Sequence, residues 1–330
     1  MDLYDFTIIG GGPTGLYGAF YAGLRQMRTK IIDSMPQLGG QLAALYPEKY
    51  IYDIGGFPKV YAKDFVAGCI EQAMQYEPTV CLNESVLTLD RAGGEGNDGY
   101  FVLTTTQGVH LTKTLLIAGG VGAFTPRKLN LEGLEPYEGN GLFYSVSNVM
   151  QFLGKNLVIV GGGDSAFDWA MALGPGAEAC VQIHRSDRFK AHEDSIQKVM
   201  EGGHVDLRTF HEVRSVQGDG KVEEVTIFDN RTDQEHTVPC DALLLNLGFE
   251  TNLGPIKEWG LEFDKRSIIV DSTMRTNIEG VWAAGDICTF PGKLKLIATG
   301  MGEAGTAANF AKNYIDPKAR AFPGHSSERS

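Results

Sequence analysis

The feature that most constrains this chain is a glycine-rich turn that occurs twice in the same setting. Asp5–Ile9 is a short apolar run that opens into Gly10-Gly11-Gly12-Pro13-Thr14-Gly15. A helical stretch through Ala19, Ala22 and Leu24 follows, and then Lys30-Ile31-Ile32-Asp33. Far downstream, Asn156–Val160 opens into Gly161-Gly162-Gly163-Asp164-Ser165-Ala166, followed by the apolar helical stretch Phe167–Leu173 and by Ala179–His184. Both stretches read as strand, tight turn, helix, strand, the opening of a βαβ unit. Both also close alike. Tyr100–Thr106 and Val109–Ile117 alternate around Gln107-Gly108 and end at Ala118-Gly119-Gly120, while Val222–Asn230 and Glu235–Leu247 repeat the alternation and end at Gly248. A glycine-rich acidic turn precedes each pair, Gly93–Gly99 in one case and Gly218-Asp219-Gly220 in the other. The repeat predicts an α/β fold of two Rossmann-like modules, each a three-layer ββα arrangement, with the second inserted into the first. Residues 1–119 and 248–330 form one module and residues 120–247 the other.

The length of 330 residues suits two or three domains, at roughly 100–200 residues each. Glycine accounts for 42 residues, nearly double the average usage of about 7%, and the excess gathers where apolar runs end. The formal charge of −12 argues against a nucleic-acid or anionic-membrane partner over the whole surface. No apolar run approaches the roughly 18 residues of a membrane span. The start, Met1–Gly12, has no basic segment and enters a strand almost at once, which predicts no secretory leader. The five cysteines, at 69, 81, 180, 240 and 288, form no Cys-x-x-Cys. Neither a disulfide framework nor a zinc site is expected from them, and buried thiols in the cytoplasm fit best.

Gly10-x-Gly12-x-x-Gly15 meets the requirements of a dinucleotide loop. The first glycine makes the turn, the second admits the pyrophosphate to the backbone, and the third lets helix and strand pack closely. The helix start, with Pro13 and Thr14, offers unpaired N–H groups to phosphate. Asp33 ends the next strand, where a carboxylate accepts ribose hydroxyls. In the second loop, Gly161-x-Gly163-x-x-Ala166 with Asp164 and Ser165, the strand ends instead in His184-Arg185-Ser186-Asp187-Arg188. Cations there favour a 2′-phosphate, so His184, Arg185 and Arg188 point to NADP(H), although Asp187 within the cluster runs the other way. A module suited to NADP beside a second dinucleotide module implies a resident, non-covalent partner cofactor, most simply FAD.

These stretches, together with Pro36-Gln37-Leu38-Gly39-Gly40-Gln41, Tyr46-Pro47-Glu48-Lys49-Tyr50, Ala284-Gly285-Asp286 and Ala298–Ala304, resemble the thioredoxin reductase-like ferredoxin/flavodoxin–NADP reductases over essentially the whole chain. The resemblance implies that Gln41, Tyr46, Val86, Phe124 and Asp286 line the FAD site, with Asp286 on a ribityl hydroxyl. It implies that Tyr50 stacks on one flavin face and that a C-terminal aromatic or imidazole, His325 or else Phe322, covers the other, commonly from a partner subunit. Thr299–Ala304 would open a helix, Glu303–Lys312, whose N-terminus faces the flavin, with Thr299 at the reacting end. Counting back from Gly161, the redox Cys-x-x-Cys of true thioredoxin reductases falls on Tyr144-Ser145-Val146-Ser147, so electrons would leave from the flavin itself.

The expected activity is therefore hydride transfer between NADPH and FAD, then single-electron transfer to ferredoxin or flavodoxin, by a homodimer. Relative rotation of the modules about Gly119-Gly120 and Gly248 would admit the nicotinamide. Because acidic ferredoxins meet a chain of charge −12, a local basic patch is expected, with Lys59 and Lys63 as candidates. The alternatives are an NADPH-dependent flavoprotein oxidase or monooxygenase, a reductase working through a separate dithiol protein, and a non-enzymatic NADP sensor. Against the first, the Phe-x-Gly-x-x-x-His-x-x-x-Trp signature of Baeyer–Villiger enzymes is absent.

Overall fold

The structure, a computed structural model, describes residues 2–94, 99–146 and 148–320, with the backbone alone at 123–125 and 249–251. His325 and Phe322, expected over the flavin, and Ser147 lie outside the described residues. The chain divides into two compact units, Met1–Phe124 with Thr251–Ser330, and Thr125–Glu250. The two links between them, Ala123–Pro126 and Phe249–Asn252, pair with each other as a two-stranded sheet.

Unit 1 is built on a parallel sheet in the order Thr79–Cys81, Thr29–Ile32, Leu3–Ile9, Val109–Ile117, with Val281–Ala283 parallel to the far end of the last strand. The near end of Val109–Ile117 pairs antiparallel with Gly99–Thr105, and that strand with Val86–Gly93. Phe6, Ile8, Ile31, Leu115 and Leu116 are fully enclosed, as a sheet covered on both faces requires. Helix Pro13–Leu24 carries small residues (Gly15, Gly18, Ala19, Ala22 and Gly23) on its buried side. A methyl at Gly18 would come within 2.9 Å of Leu116 and 3.5 Å of Ala304, so these positions let the sheet and the last helix, Ile297–Ile315, close on it. That helix begins two residues before Thr299 and runs three beyond Lys312. Its apolar face is mainly alanine (Ala304, Ala307, Ala308, Ala311), a weak hydrophobic signal but a strong helix former.

Unit 2 has a five-stranded parallel sheet, Leu142–Phe143, Ala242–Leu245, Asn156–Val160, Ala179–His184 and Asp206–Thr209 in spatial order. Its central strands show period-two burial. Leu157, Ile159 and Leu244 enter one core with Phe167 and Trp169, while Val158, Val160, Leu243 and Leu245 enter another with Val225 and Ile227. The second core lies under an antiparallel meander, His211–Gln217, Glu224–Asp229 and Glu235–Pro239. The single strand expected over Glu235–Leu247 is in fact two. Pro239 has no N–H to continue the ladder. The Asp241 N–H then donates to Asn156 O (2.8 Å), and the chain moves from the meander into the parallel sheet.

Candidate functional site

A cavity of about 470 Å3 lies in unit 1, within the usual range for small-molecule and cofactor sites of roughly 300–1,000 Å3. Gly10, Gly12, Pro13, Thr14, Asp33, Gln41, Tyr46, Val86 and Asp286 all line it. Gly15, Tyr50 and Thr299 do not, and the side chain of Phe124 is outside the described residues.

The three glycines of the first loop do different work. Gly10 has φ +108, and a Cβ on it would lie 2.5 Å from Ala118 O; one on Gly15 would lie 1.9 Å from Gly10 O. These two let strand, turn and helix touch. Gly12 instead faces space, with only the Gly40 Cα (3.8 Å) near its notional methyl. It precedes the helix with no side-chain cap, and Pro13 occupies the first turn. The open N–H groups of that turn therefore face the cavity, the arrangement phosphate needs. Gly39 and Gly40, at φ +111 and +57, bring the Gln37–Gln41 segment back beside the loop, and Gly39 N–H donates to Gly11 O (2.8 Å).

Asp33 is buried, with its carboxylate held by N–H groups of Gly11 and, at 2.8 Å, Met35. Burial raises its pKa above the ordinary carboxylate value, against the pull of those two bonds. A further lone pair on each oxygen remains for a hydroxyl. Tyr46 is raised by burial and then by the nearby Asp286 charge. Behind Asp286 lies a buried pair that sequence reasoning missed. Lys293 and Glu303, 5% and 7% exposed, bond to each other, and Glu303 also accepts from Gly285 N (2.8 Å). This fixes the turn that carries Asp286 to the helix whose N-terminal residues, Leu296 and Ile297, line the cavity. Thr299 serves that helix start: its hydroxyl accepts from Leu296 N (3.3 Å) and bonds the Leu294 and Leu296 carbonyls.

Other lining residues carry no motif that a sequence would reveal, among them Glu84, Ser85 and Leu253–Ile256. Glu84 accepts from Thr105 and from His110 Nε2 (2.7 Å), while Lys30 Nζ is 2.7 Å from His110 Nδ1. An ammonium can only donate, so Nδ1 accepts and the ring proton sits on Nε2, facing Glu84. Cys81, Glu84 and His110 come within 4.8 Å of one another, but Lys30 already supplies the positive charge there.

Tyr50 is 39% exposed and stacks on Tyr61, with ring centroids 4.0 Å apart. Lys59 Nζ lies 4.6 Å from the Tyr50 ring. Lys63 is neutralised by Glu48 at 2.9 Å, which weakens the expectation that it attracts an acidic partner.

In unit 2 the second loop repeats the division of labour. A Cβ on Gly161 would lie 2.5 Å from Asn246 O, whereas nothing lies within 4 Å of one on Gly163. Ala166 is enclosed, and Asp164 accepts from His192 N (3.0 Å). His184 packs over Gly162 and bonds Arg188 O at 3.2 Å, which makes Nε2 the protonated nitrogen. Burial first, and then the Arg185 charge, lower its pKa. Arg185 and Arg188 are exposed, and neither has a carboxylate partner among the described residues.

The five cysteines are free and scattered through both units. Burial raises the thiols of Cys69 to about 11 and of Cys180, Cys240 and Cys288 to about 12. They are protonated at neutral pH and poor nucleophiles.

Residues 4–308 match the family model for pyridine nucleotide-disulphide oxidoreductases. Among curated relatives, a ferredoxin–NADP reductase of Halalkalibacterium halodurans is 52% identical over 326 residues, 98% of this chain and 97% of the relative. One from Symbiobacterium thermophilum is 51% identical, covering 99% and 98%. Among solved structures, the thioredoxin reductase of T. acidophilum superposes with a TM-score of 0.76 at 24% identity, covering 97% of this chain and all of that one. That of Lactococcus lactis gives 0.75 at 24% identity, covering 94% and 99%. With the first glycine loop and Asp286 lining one cavity and the second loop repeating the same division of labour, this chain belongs to the pyridine nucleotide-disulphide oxidoreductase family and has the thioredoxin reductase-like fold.

Proposed function

We propose that the protein is an FAD-dependent ferredoxin–NADP reductase that exchanges electrons between NADP(H) and a one-electron carrier protein, ferredoxin or flavodoxin. The observation that carries this reading is the combination of near-full-length similarity to ferredoxin–NADP reductases with the lack of any paired thiol. The five cysteines are free and form no Cys-x-x-Cys, so electrons must leave by a route other than a dithiol.

Unit 1 suits FAD. Gly12 leaves room for a pyrophosphate at an uncapped helix start, Gly10 and Gly15 hold that start against the strand, and Asp33 offers a buried acceptor for ribose hydroxyls. Gln41, Tyr46, Val86 and Asp286 supply further polar and apolar contacts along the same cavity. Bound there, FAD supplies the ability to take two electrons as hydride and return them one at a time. The protein's part is to bind, orient and shield. Tyr50, His325 and Thr299 are proposed as the residues nearest the reacting ring, with Phe124 beside them. Unit 2 suits NADP(H): Gly163 with Asp164, Ser165 and Ala166 opens the helix to phosphate, and Arg185 and Arg188, beside His184 and without a carboxylate partner among the described residues, suit a 2′-phosphate. We place the FAD module at 1–119 and 248–330 and the NADP module at 120–247. A homodimer in the cytoplasm completes the proposal, the reducing compartment suiting five free thiols.

The test is NADPH oxidation by FAD-loaded protein coupled to cytochrome c reduction, with and without ferredoxin. Strong stimulation by ferredoxin or flavodoxin is expected. Flavin reduction with no stimulation by either would refute the assignment of acceptor.

A further inference from the structure

We propose that a recess beside the unit 1 cavity is the docking point for an acidic electron-carrier protein, a reading that rests on the function proposed above. The recess, about 170 Å3, is lined by Lys257, Arg266 and Lys295 together with Asp286, Leu253 and Gly120. Three cations face one carboxylate. Each comes from a different element: Lys257 from the short helical turn Gly254–Glu258, Arg266 from the hairpin between Phe263–Asp264 and Ser267–Ile269, and Lys295 from the approach to helix Ile297–Ile315.

All three are exposed, and none has a carboxylate partner among the described residues. This sets them apart from Lys63, neutralised by Glu48, and from Lys293, buried against Glu303. On a chain of charge −12, three uncompensated cations converging on one recess form a local field that attracts what the remainder of the surface repels. Position supplies the second argument. Gly120, Leu253, Asp286 and Lys295 line both the recess and the large cavity. A partner whose carboxylates enter the recess is therefore held next to the cofactor site, as electron transfer over short distances requires. The cations are exposed side chains, which suits the acidic face of a protein better than a free anion, whose site needs buried donors.

The test uses full-length, FAD-loaded protein carrying Lys257→Glu with Arg266→Glu, two positions outside the cofactor cavity. NADPH-driven reduction of ferredoxin is compared with that of menadione, a small neutral acceptor. The double variant should raise KM for ferredoxin about 10-fold at low ionic strength, and the difference should vanish near 0.5 M salt (roughly), where charges are screened within a few ångströms. Menadione turnover should change by less than about twofold, since steering acts on the charged partner alone. Lys257→Gln with Arg266→Gln should fall between. An unchanged ferredoxin KM and salt dependence, in a wild-type enzyme that ferredoxin stimulates, would overturn this surface alone. Inorganic phosphate that binds the wild type and not the variant, with ferredoxin KM unaltered, would assign the recess to a free anion and also overturn it. A wild type that neither ferredoxin nor flavodoxin stimulates would overturn the functional reading first, and the docking point with it.

Discussion

Two glycines three residues apart should separate folding from cofactor binding. At Gly12, φ −75 and ψ −179 suit any residue, and an added methyl meets only the Gly40 Cα at 3.8 Å. Gly12→Ala should therefore leave the apoprotein as stable as wild type or slightly more so, because a less flexible unfolded chain is worth about 0.4–1 kcal/mol. The methyl projects into the cavity where a pyrophosphate must approach the backbone. Overpacking of that kind costs about 1–3 kcal/mol, which at 1.4 kcal/mol per tenfold becomes roughly a 5- to 140-fold rise in Kd for FAD. Gly15→Ala behaves differently. Its methyl would lie 1.9 Å from Gly10 O, backbone that cannot rotate away, so helix and strand must part and the apoprotein should lose about 3 kcal/mol or more. Urea unfolding of the two apoproteins and FAD titration by fluorescence quenching measure the two effects independently. Wild-type FAD affinity in Gly12→Ala, or equal loss of apoprotein stability in both variants, would refute the reasoning.

Replacing both Arg185 and Arg188 by Ala should raise KM for NADPH roughly 10- to 150-fold, the loss of about 1.5–3 kcal/mol from charge-assisted bonds, and leave NADH turnover nearly unchanged; equal losses for both nucleotides would contradict a 2′-phosphate contact. Glu303→Gln should destabilise the protein by about 3–5 kcal/mol, because it strands a buried ammonium, and the further change Lys293→Met should restore much of it; an unchanged urea midpoint in the single variant would show that the pair does not hold the Asp286 turn. Cysteine chemistry gives a prediction with a definite sign. Burial raises Cys69 from 9.0 to about 11, so its reactive thiolate at pH 8 falls about 100-fold, a factor of ten per unit. Iodoacetamide at pH 8 should leave NADPH oxidation intact, and rapid inactivation there would point to a working thiol.

The sequence made the two loops legible because each rests on local chemistry. A residue that admits a positive φ, a strand that ends on an acid or a base, and a helix that starts on a phosphate-sized gap are all properties of a dozen consecutive residues. Gly10, Gly12 and Asp33 were readable for that reason, whereas Asp286 rested on the family resemblance alone. Glu84 and Leu253–Ile256 were not, since only the fold brings them to the cavity from distant strands and turns. The split at Pro239 was hidden because no glycine separates the mainly exposed Glu235–Pro239 from the buried apolar run Ala242–Leu245, so the two strands read as one. Thr299 has a local role that its motif did not reveal: its hydroxyl is engaged by the helix start it belongs to. The pairing of Lys293 with Glu303 could have been suspected from their spacing of ten residues only with knowledge that both side chains point inward.

The interruption of unit 1 by unit 2 also sets an order of events on the ribosome. Thr125–Glu250 is a continuous stretch whose strands all find partners within it, so it can close its cores as soon as it emerges. Unit 1 cannot. Strand Val109–Ile117 waits for Val281–Ala283, and helix Pro13–Leu24 waits for Ile297–Ile315. The first-made part of the protein is thus the last to be finished, and its apolar sheet edge stays open while about half the chain is still being translated, the interval in which a growing polypeptide is most exposed to aggregation. A chaperone that engages the nascent chain would find its substrate in the N-terminal segment.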